Sequence, residues 1–401
     1  MPSRSQLFCI VCGGADVVGL IQLISVPVIC TQLWRSASEA RKVARADIDL
    51  VGCRGCGHVF NAVFDPARIT YEANYENSLM ASPRYRQFTD AIIERLFAAY
   101  DLKGRTVVEI GCGRGEFLHI LCQRGIRTGI GFEPSRPSET VSVDGAMMRF
   151  ISSVFDPALA PHADAVCTRH VLEHLPRPVD LLRAIRKAYA SCPAQVLFIE
   201  VPNGGFMLDQ LGIWEFLYEE LSYFTPSSLA NMLRLAGLSI ERIEPAFGGY
   251  LLIAEAICGP HDARHPASSP AVAENFHTFG ARYTATVTAW REWMDLARRQ
   301  GKRLALWGGG SKGITFLNLL DRNGQHVVQH VIDINPLKTG TFTAGTGHQI
   351  VPPAALKDSP PDAILLMNPE YETEVRRALR DLNIAVQLIP VSGYLPPPAT
   401  A

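Results

Sequence analysis

Between residues 105 and 258, short apolar runs alternate with amphipathic stretches. Thr106 to Ile110, Gly129 to Phe132, Ala165 to Thr168 and Val196 to Glu200 read as buried strands, while Glu116 to Gln123 and Val179 to Ala190 repeat apolar positions at helical spacing. This alternation predicts an α/β fold in which a parallel sheet is wound with helices and ligands bind beyond the carboxyl ends of the strands. A second α/β pattern closes the chain, where a strand-like Arg303 to Trp307 meets the glycine turn Gly308-Gly-Gly-Ser-Lys312. Pro260, Pro266 and Pro270 mark a linker over residues 259–275, and a helix carrying Trp290, Trp293 and Leu296 follows it. Upstream, a polar stretch with Tyr71, Tyr75 and Tyr85 enters a helical pattern from Phe88 to Tyr100; it reads equally as surface packing or as a lid. The pattern divides the chain into residues 1–70, 71–100, 101–258, 259–300 and 301–401, in keeping with a length of 401 residues.

Two features add chemistry to this pattern. Val107-Val-Glu-Ile-Gly-Cys-Gly-Arg-Gly115 is a strand running into a glycine-rich turn, and Glu133 ends the next strand. Gly111, Gly113 and Gly115 permit tight turning and close backbone approach, and the acid is placed to accept hydrogen bonds from ribose hydroxyls. The turn alone leaves dinucleotide oxidoreductases open. The second feature is the pair of CxxC motifs Cys9-Ile-Val-Cys12 and Cys53-Arg-Gly-Cys56. Two knuckle-like turns of this spacing complete a four-thiolate tetrahedral zinc site with no open position for water, which makes the expected Zn2+ structural and residues 1–70 a zinc-binding subdomain. Buried thiols or a redox CxxC are the competing readings, and Cys30 could compete for a ligand place.

Composition narrows the function class. A formal net charge of -1 supplies no basic field, which disfavours a nucleic-acid partner, and no NPPF-like or DPPY-like strand end points to a target base. A small-molecule acceptor fits better. The apolar run Val17 to Ile29 is preceded by Asp16 and interrupted by Pro27, so neither a membrane span nor a signal peptide is expected. Ten cysteines without a disulfide-like framework suit a reducing, cytoplasmic setting. A monomer or small homo-oligomer is expected.

The pattern Glu109-x-Gly-x-Gly-x-Gly resembles motif I of class I S-adenosylmethionine-dependent methyltransferases, Arg169-His-Val-Leu-Glu-His-Leu175 looks like their motif IV region, and Ser153-Val-Phe155 sits where their adenine-flanking loop would be. Trp214-Glu-Phe-Leu-Tyr-Glu-Glu-Leu-Ser-Tyr-Phe-Thr-Pro-Ser-Ser-Leu229 is similar to a block of the three-part deoxysugar C-methyltransferases. The C-terminal Leu306-Trp-Gly-Gly-Gly-Ser-Lys-Gly313, Val331 to Gly340 and Gly345-Thr-Gly-His348 look like that family's second Rossmann-like domain. The resemblance implies S-adenosyl-L-methionine held by Glu109, Gly111, Gly113, Gly115, Glu133, Ser153, Val154, Arg169 and His170. It further implies a nucleotide-diphosphate 4-keto sugar as acceptor. Tyr71, Tyr75, Asn203 and Tyr223 are expected around that acceptor, with Gly309, Gly310, Ser311, Lys312, Asp333 and Lys338 from the last domain. Its loop backbone and lysine suit a phosphate or carboxylate; the competing reading is a glycine turn needed for close helix–sheet packing.

In such a reaction the proton next to the ketone leaves before methyl transfer, which requires a general base and a donor to the enolate oxygen. Carried across, the family's glutamate falls on Glu219, its aromatic hydroxyl on Leu217 or Tyr218, its motif IV histidine on His174 and its N-terminal tyrosine on Tyr75. The family's base histidine is Glu220 in this chain. A carboxylate can serve if burial and the adjacent Glu219 raise its pKa. The substitution equally admits O- or N-methylation, with His170, His174 or Glu220 as base, or a non-catalytic scaffold that binds the cofactor.

Overall fold

The computed structural model describes residues 7–70, 74–159, 161–189, 196–258, 271–321, 327–391 and 395–397; Tyr71 and the proline-marked residues 259–270 lie outside the described residues. Among the described residues, three sheets form. In the first, β1 (Val17–Pro27) pairs antiparallel with β2 (Arg45–Cys53), and β2 with β3 (Val59–Asn61). The short helix α1 (Ala37–Arg41) lies between β1 and β2, capped by the Ser36 hydroxyl, which accepts from the Glu39 N–H. The apolar run expected not to be a membrane span is thus an ordinary strand. The fourth strand of this sheet comes from far along the chain: Ser222 pairs with Phe60 and Tyr223 with Val59.

Helix α2 (Pro83–Tyr100) leads into the central sheet; Ser82 caps it and Pro83 sits at its first turn, where a missing N–H costs nothing. The sheet then adds β4 (Thr106–Ile110), α3 (Glu116–Arg124), β5 (Thr128–Phe132), β6 (Glu139–Val143), β7 (Ala146–Ile151), β8 (Ala165–Arg169), α4 (Pro178–Tyr189) and β9 (Val196–Pro202). After α5 (Gly204–Asp209), the two-residue strand β10 (Ser222–Tyr223) joins the first sheet and α6 (Pro226–Leu235) follows, before β11 (Ser239–Ala246) and β12 (Leu251–Ile257) close the second. The order β11-β12-β9-β8-β4-β5-β7-β6 departs in opposite directions from β4, which opens a crevice at its carboxyl end. The sheet is not wholly parallel as expected. β6, β11 and β12 run antiparallel to their neighbours, because β6–β7 and β11–β12 are joined by connections too short for a parallel crossover.

Helix α7 (Ala271–Arg299) begins inside the expected linker of residues 259–275, which therefore ends before Ala271. It carries the buried Trp290 against Phe316 and leads to the third sheet. This sheet is parallel throughout, built from β13 (Leu304–Trp307), α8 (Ser311–Leu320), β14 (Val328–Ile332), β15 (Ile350–Val351), β16 (Ala363–Leu366), α9 (Glu372–Asp381) and β17 (Gln387–Pro390). One apolar core runs through Leu23 and Ile48 of the first sheet, Trp214 and Tyr223 of the intervening block, and Phe316 and Val331 of the third. The block 213–223 therefore sits where all three parts meet. Among the described residues, no helix is long and apolar enough to cross a membrane.

Candidate active site

The cofactor side of the crevice is built by the turn after β4. Gly111, Gly113 and Gly115 have φ of 70°, 51° and 78°, in the left-handed region that favours glycine. A Cβ on Gly111 would come within 2.2 Å of Val171 Cγ2, whereas one on Gly113 would meet nothing within 4 Å, so the crest of the turn faces open space. At the end of β5, Glu133 accepts from the Gly113 N–H at 3.0 Å and from the Ser135 N–H and hydroxyl at 3.0 and 2.6 Å. Glu109 is buried and one of its oxygens has no partner; burial pushes its pKa up to about 8. Ser153 donates to the Val154 carbonyl, and Val154 stands exposed at the rim. An open glycine crest beside an acid with no cationic partner suits the methionine and ribose parts of S-adenosylmethionine. Arg169 donates to Glu200 at 2.8 Å and Tyr85 at 3.0 Å, lies over the Phe117 ring, and its charge opposes the rise of the Glu109 pKa.

Just beyond β8 the chain builds a cluster of acids. His170 takes φ 53° and sits between Glu173, 3.3 Å from Nδ1, and Glu200, 3.1 Å from Nε2. Burial works against its charged form, but the hydrogen bonds and charges of Glu173 and Glu200 prevail and raise its pKa to about 10. Glu200 is held down to about 2 against the effect of burial by Arg169 and His170. His174 Nδ1 lies 2.6 Å from the Glu219 carbonyl oxygen; since a carbonyl only accepts, Nδ1 carries the proton. Glu219 is buried, and its carboxylate accepts from the Cys30 N–H at 3.1 Å and the Tyr75 hydroxyl at 2.9 Å. Burial raises its pKa, partly offset by His174. Glu220 differs: one oxygen is buried with no hydrogen-bond partner, and burial together with Glu173, Glu219 and Glu215 pushes its pKa well above the carboxylate range.

The C-terminal domain contributes Lys312, from the first turn of α8. Its Nζ stands 3.0 Å from Glu215 Oε1 and 3.6 Å from the Tyr250 ring centroid. Gly309 and Gly310 form the turn before it, Ser311 opens the helix, and Asp333 accepts from the Gly309 N–H and pairs with Lys338 at 3.2 Å. Three expected site residues are turned away. The Tyr218 hydroxyl accepts from the Asp65 N–H and its ring stacks on Phe64. The buried Tyr223 hydroxyl both accepts from and donates to Leu217. The Asn203 side chain caps α5 and donates to Gly249. In this structure the three pack and cap, with their observed hydrogen bonds going to Asp65, Leu217, Phe206 and Gly249.

Residues 80–243 match the family model described as a methyltransferase domain, and residues 268–387 match the model described as a C-methyltransferase C-terminal domain. The protein is an S-adenosylmethionine-dependent methyltransferase. Its fold is the class I Rossmann-like α/β type with a small N-terminal cysteine-cluster subdomain and a C-terminal Rossmann domain. Among solved structures, the methyltransferase is similar to magnesium protoporphyrin IX methyltransferase from Synechocystis PCC 6803 (22% identity over 43% of this chain and 83% of that one, TM-score 0.33). It is also similar to a riboflavin-derivative dimethyltransferase from Streptomyces davawensis (21% identity, 44% and 60%, TM-score 0.32) and a didemethyltoxoflavin N1-methyltransferase from Burkholderia thailandensis (15%, 50% and 94%, TM-score 0.32). No curated protein matches the chain.

The methyltransferase's second cofactor is a structural zinc. The Sγ atoms of Cys9, Cys12, Cys53 and Cys56 all lie within 4.8 Å of one another, with Cys9–Cys56 and Cys12–Cys53 at 3.6 Å. A tetrahedral ion at the ordinary Zn–S distance of about 2.3 Å places its sulfurs about 3.8 Å apart, so the four thiols fit it. Cys30 lies elsewhere, packed with Leu217, Ile314 and Ala344. Sequence reasoning passed over Glu173, Glu200, Glu215 and Tyr250. Their signal was weak, a charge or ring within an apolar run, and only the fold brings them to one place.

Proposed function

We propose that this methyltransferase transfers methyl to the carbon next to the ketone of a nucleotide-diphosphate keto-deoxysugar, with Glu220 as general base. The observation that carries the reading is Glu220 itself, a half-buried carboxylate with one buried, unpartnered oxygen among three other glutamates. A base needs a pKa raised from the ordinary carboxylate range and an oxygen available to the substrate proton; Glu220 has the raised pKa and an unpartnered oxygen, and it lies in the block that resembles the deoxysugar enzymes. His170 is a poor base because Glu173 and Glu200 keep it protonated. Glu219 is already occupied by Cys30 and Tyr75 and serves to place the tyrosine. The match of residues 268–387 to a C-methyltransferase C-terminal domain supports carbon as the receiving atom, and the likeness of residues 214–229 to the deoxysugar block supports the acceptor class.

Bound S-adenosylmethionine supplies the electrophilic methyl group. Glu220 takes the proton from the carbon, and Glu133 with the glycine turn holds the cofactor in line. To test the reading, the protein is incubated with methyl-deuterated cofactor and a panel of nucleotide keto sugars and their hydroxy and amino counterparts, and the label is located by NMR. Label on carbon beside the ketone is expected. Label on oxygen or nitrogen would refute C-methylation.

A further inference from the structure

A lysine that follows three glycines at the start of a helix is ordinarily placed to meet phosphate with the helix's free N–H groups. Lys312 does something else. Its side chain crosses from α8 to the block 213–223, where it faces Glu215 and lies on the Tyr250 ring. Glu220 and Glu370 are also within its electrostatic reach. Lys312 Nζ and Glu215 Oε1 pair at 3.0 Å, whereas one buried Glu220 oxygen has no hydrogen-bond partner among the described residues. A buried oxygen of the proposed base thus lacks a hydrogen-bond partner in the same small region as an ammonium that is paired with Glu215. Buried polar atoms are ordinarily satisfied, so such a group marks the place of a polar ligand. Glu219 and the Tyr75 hydroxyl, by contrast, satisfy each other.

We propose that Lys312 is a catalytic residue that donates a hydrogen bond to the acceptor's carbonyl oxygen while Glu220 removes the neighbouring proton. This rests on the C-methylation reading above. The C–H bond breaks, its proton goes to the Glu220 carboxylate, its electron pair forms the C=C bond, and the carbonyl π pair moves to the oxygen facing the lysine. In the second step the oxygen pair returns, the carbon forms its bond to the methyl group, the C–S bond breaks and neutral S-adenosylhomocysteine leaves. Glu215 and Tyr250 hold the ammonium in place, and burial, opposed by Glu215, lowers its pKa, which makes it a stronger donor toward a developing oxyanion. Because Lys312 belongs to the C-terminal domain, that domain completes the catalytic site.

The test separates proton removal from methyl transfer. Wild-type protein and Lys312→Met are incubated in D2O with S-adenosylhomocysteine and the panel of nucleotide keto sugars, and loss of the C–H signal beside the ketone is followed by NMR. Exchange in the wild type is expected, with Lys312→Met slower by about 100-fold or more, the scale of losing one oxyanion donor, while S-adenosylhomocysteine affinity stays within about threefold. Lys312→Ala is expected to regain exchange on addition of ethylamine, which a purely structural lysine would not permit. Exchange by Lys312→Met at the wild-type rate would overturn the role of Lys312 and leave C-methylation standing. Absence of exchange in the wild type would remove both. If the lysine variants fail to fold, Glu215→Gln keeps the lysine and removes its anchor; wild-type exchange in that variant would overturn the proposal.

Discussion

The methyltransferase contains two strand–glycine turn–helix units, and they differ in what surrounds the same parts. In the first, β4 runs through Gly111–Gly115 into α3 and the next strand, β5, is followed by Glu133; in the second, β13 runs through Gly308–Gly310 into α8 and β14 is followed by Asp333. Each acid accepts an N–H from its own turn at 3.0 Å. Each also accepts from the N–H two residues on, that of Ser135 at 3.0 Å and that of Asn335 at 2.8 Å. There the likeness ends. Glu133 further accepts from the Ser135 hydroxyl, with no ion pair among the described residues, and a Cβ on Gly113 would enter open space. Asp333 is neutralised by Lys338, and a Cβ on Gly309 would meet Ile350, Asp333 and Val331 at 3.2 to 3.3 Å. The first turn faces open space and the second is closed over its own acid. A glycine turn is therefore no nucleotide site by itself; the neighbours of its acid decide, and the second turn serves instead to present Lys312 to Glu215.

The largest expected effect lies between the two units. Glu220→Gln should lower methyl transfer by about 10²- to 10⁴-fold, the range for a lost general base, with S-adenosylhomocysteine binding unchanged by calorimetry. In the wild type the rate should rise with pH as Glu220 deprotonates, and the midpoint should lie above the ordinary carboxylate range because burial and three neighbouring glutamates oppose its charge. A midpoint near pH 4 would contradict this assignment. Next, Gly111→Ala should lower cofactor affinity by tenfold or more, on the order of the 1–3 kcal/mol that overpacking costs, since its Cβ would overlap Val171 in a backbone conformation alanine avoids. Gly310→Ala is the matched control: its nearest outside atom is Lys338 Nζ at 3.9 Å and its φ is -97°, so cofactor affinity should not change.

Removing zinc by chelation, or replacing Cys12 with serine, should lower the melting temperature by about 10 °C or more, because a structural zinc supplies folding free energy outright. Since Ser222 and Tyr223 pair with Phe60 and Val59, the loss should also slow methyl transfer although the metal touches no reactant. The smallest effect concerns pH and stability. The folded pKa of His170 is about 10 against an ordinary 6.5, so its contribution is complete below about pH 6.5 and is lost as pH rises through about 10. Glu200, held at about 2 against 4.5, contributes above about pH 4.5 and loses that contribution as pH falls through about 2. Chemical denaturation of His170→Asn across pH 7 to 10 should show a flatter alkaline decline than the wild type. An equal decline would place the titrating group elsewhere.

The strands β4, β5, β8 and β9 were legible because each is a short apolar run buried on both faces, and the zinc ligands because CxxC spacing directly encodes a knuckle. The β6–β7 hairpin was not, since β6 is exposed along four of its five positions and lacks the alternation that marks a half-buried strand. The orientation of the site tyrosines was equally hidden: Tyr218 and Tyr223 differ only in whether the fold offers their hydroxyls Asp65 or Leu217. Lys312 looked like a phosphate ligand because its local pattern is that of a glycine turn. Its partners, Glu215 and Tyr250, are set by the packing of one domain on another, which no local pattern records.

The most direct test of the division between the two units is calorimetric titration of S-adenosylhomocysteine into the wild type, Glu133→Ala and Asp333→Ala. One molecule should bind per chain, with affinity reduced by about tenfold or more in Glu133→Ala, as for a lost hydrogen bond to a charged group, and unchanged in Asp333→Ala. A second bound molecule, or an equal loss in Asp333→Ala, would contradict the account.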